Sequence, residues 1–265
     1  QIAREAGLEP LIDQILADPG KVPETAAQAF VNAEKGVGDA KAALDGARAI
    51  LIERIGENAE LVGNMREWLW GDGLIISKVV TGKEAEGAKF SDYFDFSQKI
   101  RDLPSHRALA LLRGRNEGIL DLSLDVPVID KGPHPAEGKV RVAFGIADKG
   151  RPADKWLGET VRLAWKARLH IGLTVDLFTR GKENADGEAI SVFSKNLKDL
   201  LLAPPAGHRA TMGLDPGIRT GVKVAVVDLT GKVLDTTTVY PHEPKRDWNG
   251  ALATLGALVL KHKVE

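Results

Sequence analysis

Apolar residues recur at helical spacing through most of the chain. They fall three and four residues apart over residues 8–16, 43–55 and 61–69, and each of these runs predicts an amphipathic helix. Two further runs, over residues 157–173 and 189–201, step by four and predict two longer helices. The charged residues 182–187 lie between these two helices and are interpreted as a solvated connecting loop.

The pattern is less regular between these helical runs. Residues 119–124 alternate as a strand does, and 140–146 predict a second short strand. Residues 74–80 fit either a strand or a helix that continues from Trp70. The aromatic residues between 89 and 96 suit base stacking, but they are more typical of a segment that is anchored to a core.

The period changes after the Pro-Pro-Ala-Gly sequence at 204–207. Residues 211–215, 222–228 and 233–240 predict three strands, with an Asp-Pro-Gly turn at 215–217 and a hairpin turn at 230–231. The second strand is predicted to be buried on both faces. Leucines at helical spacing in 248–259 then predict one amphipathic helix.

Composition limits the classes of function. Apolar residues make up 43% and charged residues 28%, which predicts a packed core, and the net charge is -1. A chain with this balance is not coated with basic surface, so any contact with nucleic acid must be a local patch. The absence of cysteine excludes disulfides and thiolate zinc sites. No apolar run approaches about 18 residues, so we expect a cytoplasmic protein without a membrane span.

The most specific segment is Met-Gly-Leu-Asp-Pro-Gly-Ile-Arg-Thr-Gly at 212–221. A carboxylate at the end of a strand, here Asp215, is a natural Mg²⁺ ligand for phosphodiester chemistry, and glycines in the next turn leave room for a phosphate. The alternative is purely structural, with Asp215 capping a tight turn. Spacing alone leaves both interpretations open.

This segment resembles the first hairpin of the ribonuclease-H-like fold, in the form found in the YqgF-type domain of the bacterial Tex family of transcription accessory proteins. The resemblance covers nearly the whole chain in the family's order. Its matching segments are GAKFSDYF (87–94), PSHRALA (104–110), RGRNEG (113–118), ADKWL (153–157), VKVAVVD (222–228), TGK (230–232) and VYPH (239–242).

The resemblance implies a mixed α and α/β fold. Residues 1–205 would be the mostly helical Tex N-terminal and central region, with short β segments near 119–146. Residues 208–265 would be the first half of a YqgF-like domain, an incomplete three-stranded sheet with one helix. Because the chain starts at Gln1 and stops within a helical pattern, we expect it to be a fragment of a longer polypeptide.

The resemblance also implies a function. The family binds RNA or DNA as a multidomain scaffold for transcription, so this piece is expected to be mainly architectural and not an enzyme, with RNA polymerase as a further partner. No cofactor is expected, because Mg²⁺ would be needed only if the ribonuclease-H-like site were intact. Asp215 would then be a vestigial acid and an incomplete metal site.

Two enzymatic alternatives remain. One is a metal-dependent, nuclease- or resolvase-like domain that acts only with its missing half, since two-metal cleavage needs several converging carboxylates. Asp228 and Asp235 lie on neighbouring strands, but Asp228 is near the hairpin end, away from Asp215. The more distant alternative is an actin-like or sugar-kinase ATPase, whose phosphate loop has similar geometry.

The candidate nucleic-acid contacts are Arg107, Arg113 and Arg115. They lie in residues 97–117, where five basic and two acidic residues give a charge of +3. Arginines at the end of a helix can present guanidinium groups to phosphates. The competing interpretation, which we favour, is that they stabilise the helix C-terminus or pair with neighbouring acids.

Overall fold

The computed structural model describes residues 1–127, 132–205, 207–217, 220–243 and 245–265. More than half of the chain is helical. The chain divides into two compact units, Gln1–Ser194 and Lys195–Glu265. The fold class is mixed α and α/β, as the sequence predicted. No helix in the described ranges has the length and apolar character that crossing a membrane requires.

The first unit is built mainly from helices joined by short connections. Its helices are α1 (Ile2–Glu5), α2 (Glu9–Ala17), α3 (Pro23–Gln28), α4 (Ala40–Glu57), α5 (Ala59–Asp72), α6 (Ser105–Asn116), α7 (Pro135–Ala143), α8 (Asp154–Ala164) and most of α9 (His170–Leu201). The helices predicted over 8–16, 43–55 and 61–69 are confirmed as α2, α4 and α5.

Side-chain caps set the start of α4 and of α5. Asp39 accepts a hydrogen bond from the N–H of Ala42 at 2.7 Å, and Asn58 accepts one from the N–H of Leu61 at 2.9 Å. Both side chains satisfy an amide that has no partner inside its helix. Asn58 also ends α4, so one residue stops one helix and starts the next.

The main core of the first unit lies between α2, α4, α5 and α8. Ile12, Leu51 and Met65 are fully buried, and Leu157 of α8 is 1% exposed. Helix α8 packs against α4, where the guanidinium of Arg48 lies over the Trp156 ring at 5.3 Å. The apolar stripes that predicted the helices therefore face one another.

A small antiparallel sheet is inserted between α5 and α7. It contains β1 (Leu74–Val79), β2 (Asp95–Lys99) and β3 (Leu120–Asp125) in the order β2-β1-β3. The ambiguous residues 74–80 therefore form a strand, and the strand predicted over 119–124 is confirmed. The aromatic segment anchors this sheet, because Phe90 is 4% exposed and the Tyr93 and Phe96 rings meet edge to face at 5.5 Å.

Gly114 is the point at which α6 contacts β3. A β-carbon at this position would lie 2.5 Å from Cδ1 of Leu120 and 3.4 Å from Cδ1 of Phe90. The first distance is far below the normal separation of about 3.5 to 4 Å between carbon atoms. The glycine between Arg113 and Arg115 is therefore required by packing.

Two predictions about the first unit are wrong. Residues 140–146 do not form a strand, because α7 occupies Pro135–Ala143 and is capped by His134, whose Nδ1 accepts from the N–H of Ala136. Residues 182–187 are not a loop, because α9 runs through them without a break. Their charges are the solvated face of a helix, with Lys182 paired to Asp186 one turn away and Ala185 buried.

The second unit contains β4 (Thr211–Gly217), β5 (Gly221–Val227), β6 (Val233–Val239) and α10 (Trp248–His262). The strands are antiparallel in the order β4-β5-β6, and Val224, Val226 and Val239 form a core with α10. The hairpin predicted at 230–231 and the last helix are confirmed.

The turn predicted at 215–217 is wrong. Asp215, Pro216 and Gly217 belong to β4 and pair with Lys223, Val222 and Gly221. The predicted burial of the second strand on both faces is also wrong, since Lys223 is exposed while Val224 is buried. Residues alternate between the faces of a strand, and within the described ranges of this unit only the Val224 face is covered.

Asp235 attaches the end of α10 to β6. The Nζ of Lys261 donates to its Oδ2 at 2.8 Å, and Nε2 of His262 lies 3.1 Å from the same oxygen. Hydrogen bonds from Lys261, and then from His262, lower the pKa of the Asp235 carboxyl from 3.8 to about 2. The charged carboxylate is therefore the form that stabilises this unit.

We expect Gly114→Ala to destabilise the first unit. Forcing a methyl group against Leu120 is an overpacking change, which typically costs about 1–3 kcal/mol in the free energy of unfolding. The matched control is Gly181→Ala in α9, where nothing lies within 4 Å of an added β-carbon and the better helix former should stabilise by up to about 1 kcal/mol. Urea unfolding followed by tryptophan fluorescence measures both, and equal shifts of the same sign would contradict the packing role of Gly114.

We expect acid to weaken the attachment of α10 to β6. Because the folded-state pKa of Asp235 is lowered to about 2 from 3.8, its stabilisation is present above the unfolded-state pKa and is lost as the pH falls through the folded-state value. Amide hydrogen exchange of β6 and α10 should be faster in Asp235→Asn than in wild type at about pH 5, and the two should converge near pH 2. A difference that does not change with pH would refute the assignment.

Candidate nucleic-acid interface

Asp215 lies in a row across the second sheet that continues through Lys223 and Thr238. Its side chain is 77% exposed, and its Oδ2 is 3.8 Å from Nζ of Lys223. No backbone N–H in the described part of the chain donates to this carboxylate. Asp215 is thus an exposed strand residue beside a cation. It does not cap a turn, and it is not buried as a metal ligand would be.

The two other carboxylates considered from the sequence, Asp228 and Asp235, point elsewhere. Asp235 pairs with Val226 in the sheet, and because side chains alternate, it lies on the face opposite Asp215. Asp228 lies at the other end of the β4–β5 hairpin, where it accepts hydrogen bonds from Thr230 and from the N–H of Lys232. These bonds, that of the Thr230 hydroxyl above all, lower the pKa of the Asp228 carboxyl.

The separation of these acids limits the chemistry of the site. Two-metal cleavage needs carboxylates that converge on one point, and Asp215, Asp228 and Asp235 do not. Across the described ranges, no three His, Asp or Glu side chains are arranged to hold a metal ion. Asp215 with Lys223 beside it does not fit a two-metal centre.

The three candidate arginines make contacts within the first unit. Arg107 donates to Oε1 of Gln98 at 3.3 Å, and Nε of Arg113 donates to Oε1 of Glu117 at 2.8 Å. The guanidinium of Arg115 lies over the Phe178 ring at 5.3 Å. These contacts favour the structural interpretation of the cluster.

Glu117 shows how the end of α6 is neutralised. Its carboxylate accepts from Nζ of Lys89 at 2.6 Å as well as from Arg113. The hydrogen bond from Lys89, followed by that from Arg113, lowers the pKa of Glu117. The positive charge that the sequence places around residues 113–115 is therefore partly balanced by an acid of the same turn.

A cleft that sequence reasoning missed lies between α7 and α8. Its cationic lining is contributed by α7, α8 and the segments beside them, namely by Arg141, Arg151, Lys155, Arg162 and Lys166. The available signal was the charge of residues 135–171, where eight Lys and Arg against four Asp and Glu give +4. That excess was not apparent because it is divided between two helices and a loop.

Two family profiles match the chain and together cover most of it. A profile described as Tex central region-like matches residues 18–193, and one described as the Tex protein YqgF-like domain matches residues 209–265. The second match assigns the Asp215 hairpin to the YqgF-like alternative in preference to the actin-like or sugar-kinase one.

Similar proteins occur in bacteria and in animals. Protein tex of Bordetella pertussis is 53% identical over the whole chain, and Transcriptional accessory protein Tex of Neisseria gonorrhoeae is 50% identical over the whole chain; the match covers 34% of each. S1 RNA-binding domain-containing protein 1 of Homo sapiens is 26% identical over 91% of the chain and 25% of its own length. The chain thus spans about a third of the bacterial relatives that it matches. The profile match over residues 18–193 covers more than half of the chain, which therefore belongs to the Tex family.

Proposed function

We propose that this chain is an architectural part of a cytoplasmic transcription accessory protein that binds RNA or DNA, and that it is not itself an enzyme. The carrying observation is the pair of Tex profile matches over 18–193 and 209–265. Relatives named for transcription and for RNA binding support the same role. RNA polymerase is the protein partner that this role suggests.

The geometry supports a scaffold more than a catalyst. Two of the three candidate carboxylates of the second unit have structural roles, since Asp235 holds α10 and Asp228 closes a hairpin turn. The third, Asp215, is exposed, and Lys223 offsets its charge. A single carboxylate of this kind does not supply the several converging carboxylates that two-metal phosphodiester cleavage uses.

We expect no metal-dependent cleavage that depends on Asp215. End-labelled single- and double-stranded RNA and DNA, incubated with the chain and Mg²⁺ or Mn²⁺, should remain intact to the same extent with wild type and with Asp215→Asn. Asparagine keeps the size of the side chain and removes its charge, so folding is unaffected. Cleavage by wild type that disappears in Asp215→Asn would establish the nuclease alternative.

We expect Arg113→Ala and Arg115→Ala to leave nucleic-acid affinity within about twofold of wild type, because Arg113 already pairs with Glu117 and Arg115 lies over the Phe178 ring. The exposed Arg113–Glu117 pair should contribute at most about 1 kcal/mol to stability. Fluorescence anisotropy with labelled RNA and DNA, at low and physiological salt, measures the affinity.

A tenfold or greater loss of affinity in Arg113→Ala, without a change in the unfolding midpoint, would make this arginine a contact residue. If the native protein binds no RNA or DNA in any of these titrations, the proposed function itself is wrong.

A further inference from the structure

The α7–α8 segment carries an excess of positive charge. Residues 135–171 carry a charge of +4, although the whole chain has a net charge of -1. The cleft between α7 and α8 is lined by five cations and by five carboxylates, those of Asp125, Glu137, Asp148, Asp154 and Glu159. Among the described residues, no carboxylate lies within 4 Å of the cationic groups of Arg141, Lys155, Arg162 or Lys166.

Three of the five acids that line the cleft have ionic partners, whereas among the described residues no basic group lies within 4 Å of the carboxylates of Glu137 and Asp148. Asp154 is paired with Arg151 at 2.9 Å, and Glu159 lies 3.8 Å from Arg48. Asp125 lies 2.8 Å from Nε2 of His134, whose ring stacks on Trp165. Among the described residues, the lining therefore keeps four cations and two carboxylates without an ionic partner, which leaves an excess of positive charge.

The guanidinium of Arg141 packs against the surface of α8 at Gly158. A β-carbon on Gly158 would lie 2.5 Å from Nη2 of Arg141, so the guanidinium rests on the backbone of α8 where a side chain is missing. Glycine inside a helix is unfavourable compared with alanine. Its presence in the middle of α8 is explained by the space that it leaves for the guanidinium of Arg141.

The remaining cations extend along the exposed edge of α8 and of the π-helical turn that follows it. Lys155, Arg162 and Lys166 are all exposed. Eleven residues separate the first from the last, which corresponds to about 16 Å along a helix. A line of cations of this length suits a polymer that carries a charge on every residue, and guanidinium groups bind phosphate oxygens through paired hydrogen bonds.

We propose that the α7–α8 cleft binds the phosphodiester backbone of a nucleic acid, with Arg141, Lys155, Arg162 and Lys166 as its phosphate contacts. This inference rests on the proposed function and gives it a location in the first unit. The contacts are to the backbone, so they position the polymer and do not select a base sequence.

The test is the salt dependence of binding by the native protein to labelled single-stranded RNA. Each phosphate contact contributes about -0.7 to the slope of log affinity against log salt for a single strand. Arg162→Gln with Lys166→Gln should therefore reduce the slope by about 1.4 and weaken binding most at low salt. The matched control is Lys35→Gln with Lys41→Gln, which removes the same charge from exposed positions outside the cleft and should leave the slope unchanged.

Gly158→Ala tests separately whether the position of Arg141 on α8 contributes to binding. Alanine favours the helix, so α8 should remain folded, while the guanidinium must move away from its place above residue 158. The expected result is an unfolding midpoint no lower than that of wild type, with a slope reduced by up to about 0.7.

The outcomes separate this inference from the proposed function. An unchanged slope for RNA binding by Arg162→Gln/Lys166→Gln would refute binding of the backbone at the cleft and leave the proposed function in place. An equal reduction of the slope in the lysine control would do the same. Absence of RNA and DNA binding by the native protein would overturn both. Wild-type binding of polyglutamate that the cleft variant loses, with the RNA slope unaffected, would assign the cleft to an acidic polypeptide instead.

Discussion

The buried carboxylate of Asp154 is the interaction on which the α7–α8 region depends. Its side chain is 2% exposed, and it accepts hydrogen bonds from the N–H groups of Lys149 and Arg151 at 2.7 and 2.9 Å and from the Arg151 guanidinium. A buried charge without such partners would be strongly unfavourable. The same bonds, that of the guanidinium foremost, lower the pKa of Asp154 to about 2, so it remains ionised and fixes the loop before α8.

Helix α8 contributes to both the core of the first unit and the lining of the cleft. Ala153, just before it, donates its N–H to the carbonyl of Pro19 at 3.1 Å, which joins the loop to the end of α2. Trp156, Leu157 and Val161 turn inward to the core, and the cations turn outward. Because the inward residues determine how the helix is rotated, they also determine where the cations point, and a core change in α8 would move the cleft.

The sequence predicted elements where one periodicity dominated. Leu157, Val161, Trp165, Leu169 and Leu173 step by four, and all are buried. In a regular α-helix, side chains four residues apart differ in direction by about 40°, so a row of five such residues would turn away from the core. The turn Trp165–Leu169 is a π-helix, and its wider turn keeps the five side chains on the core side. The two wrong predictions in the first unit concern segments in which a local pattern resembled a different structure. Alternation over 140–146 imitated a strand although Val142 is 85% exposed, and charge at 182–187 imitated a loop although it covers one face of α9.

Candidate sites were harder to predict because charge in a sequence does not reveal which charges are already paired. Residues 97–117 and 135–171 carry similar excesses, +3 and +4. In the first, Glu117 neutralises Arg113 and Phe178 holds Arg115. In the second, Asp154 is directed to Arg151 and Glu159 to Arg48, and among the described residues no acid lies within 4 Å of the cationic groups of Arg162 and Lys166. Pairing is a property of the folded chain, since Arg48 and Glu159 are distant in sequence. In a protein of net charge -1, the cations without a partner, and not the densest basic sequence, are those available to a phosphate.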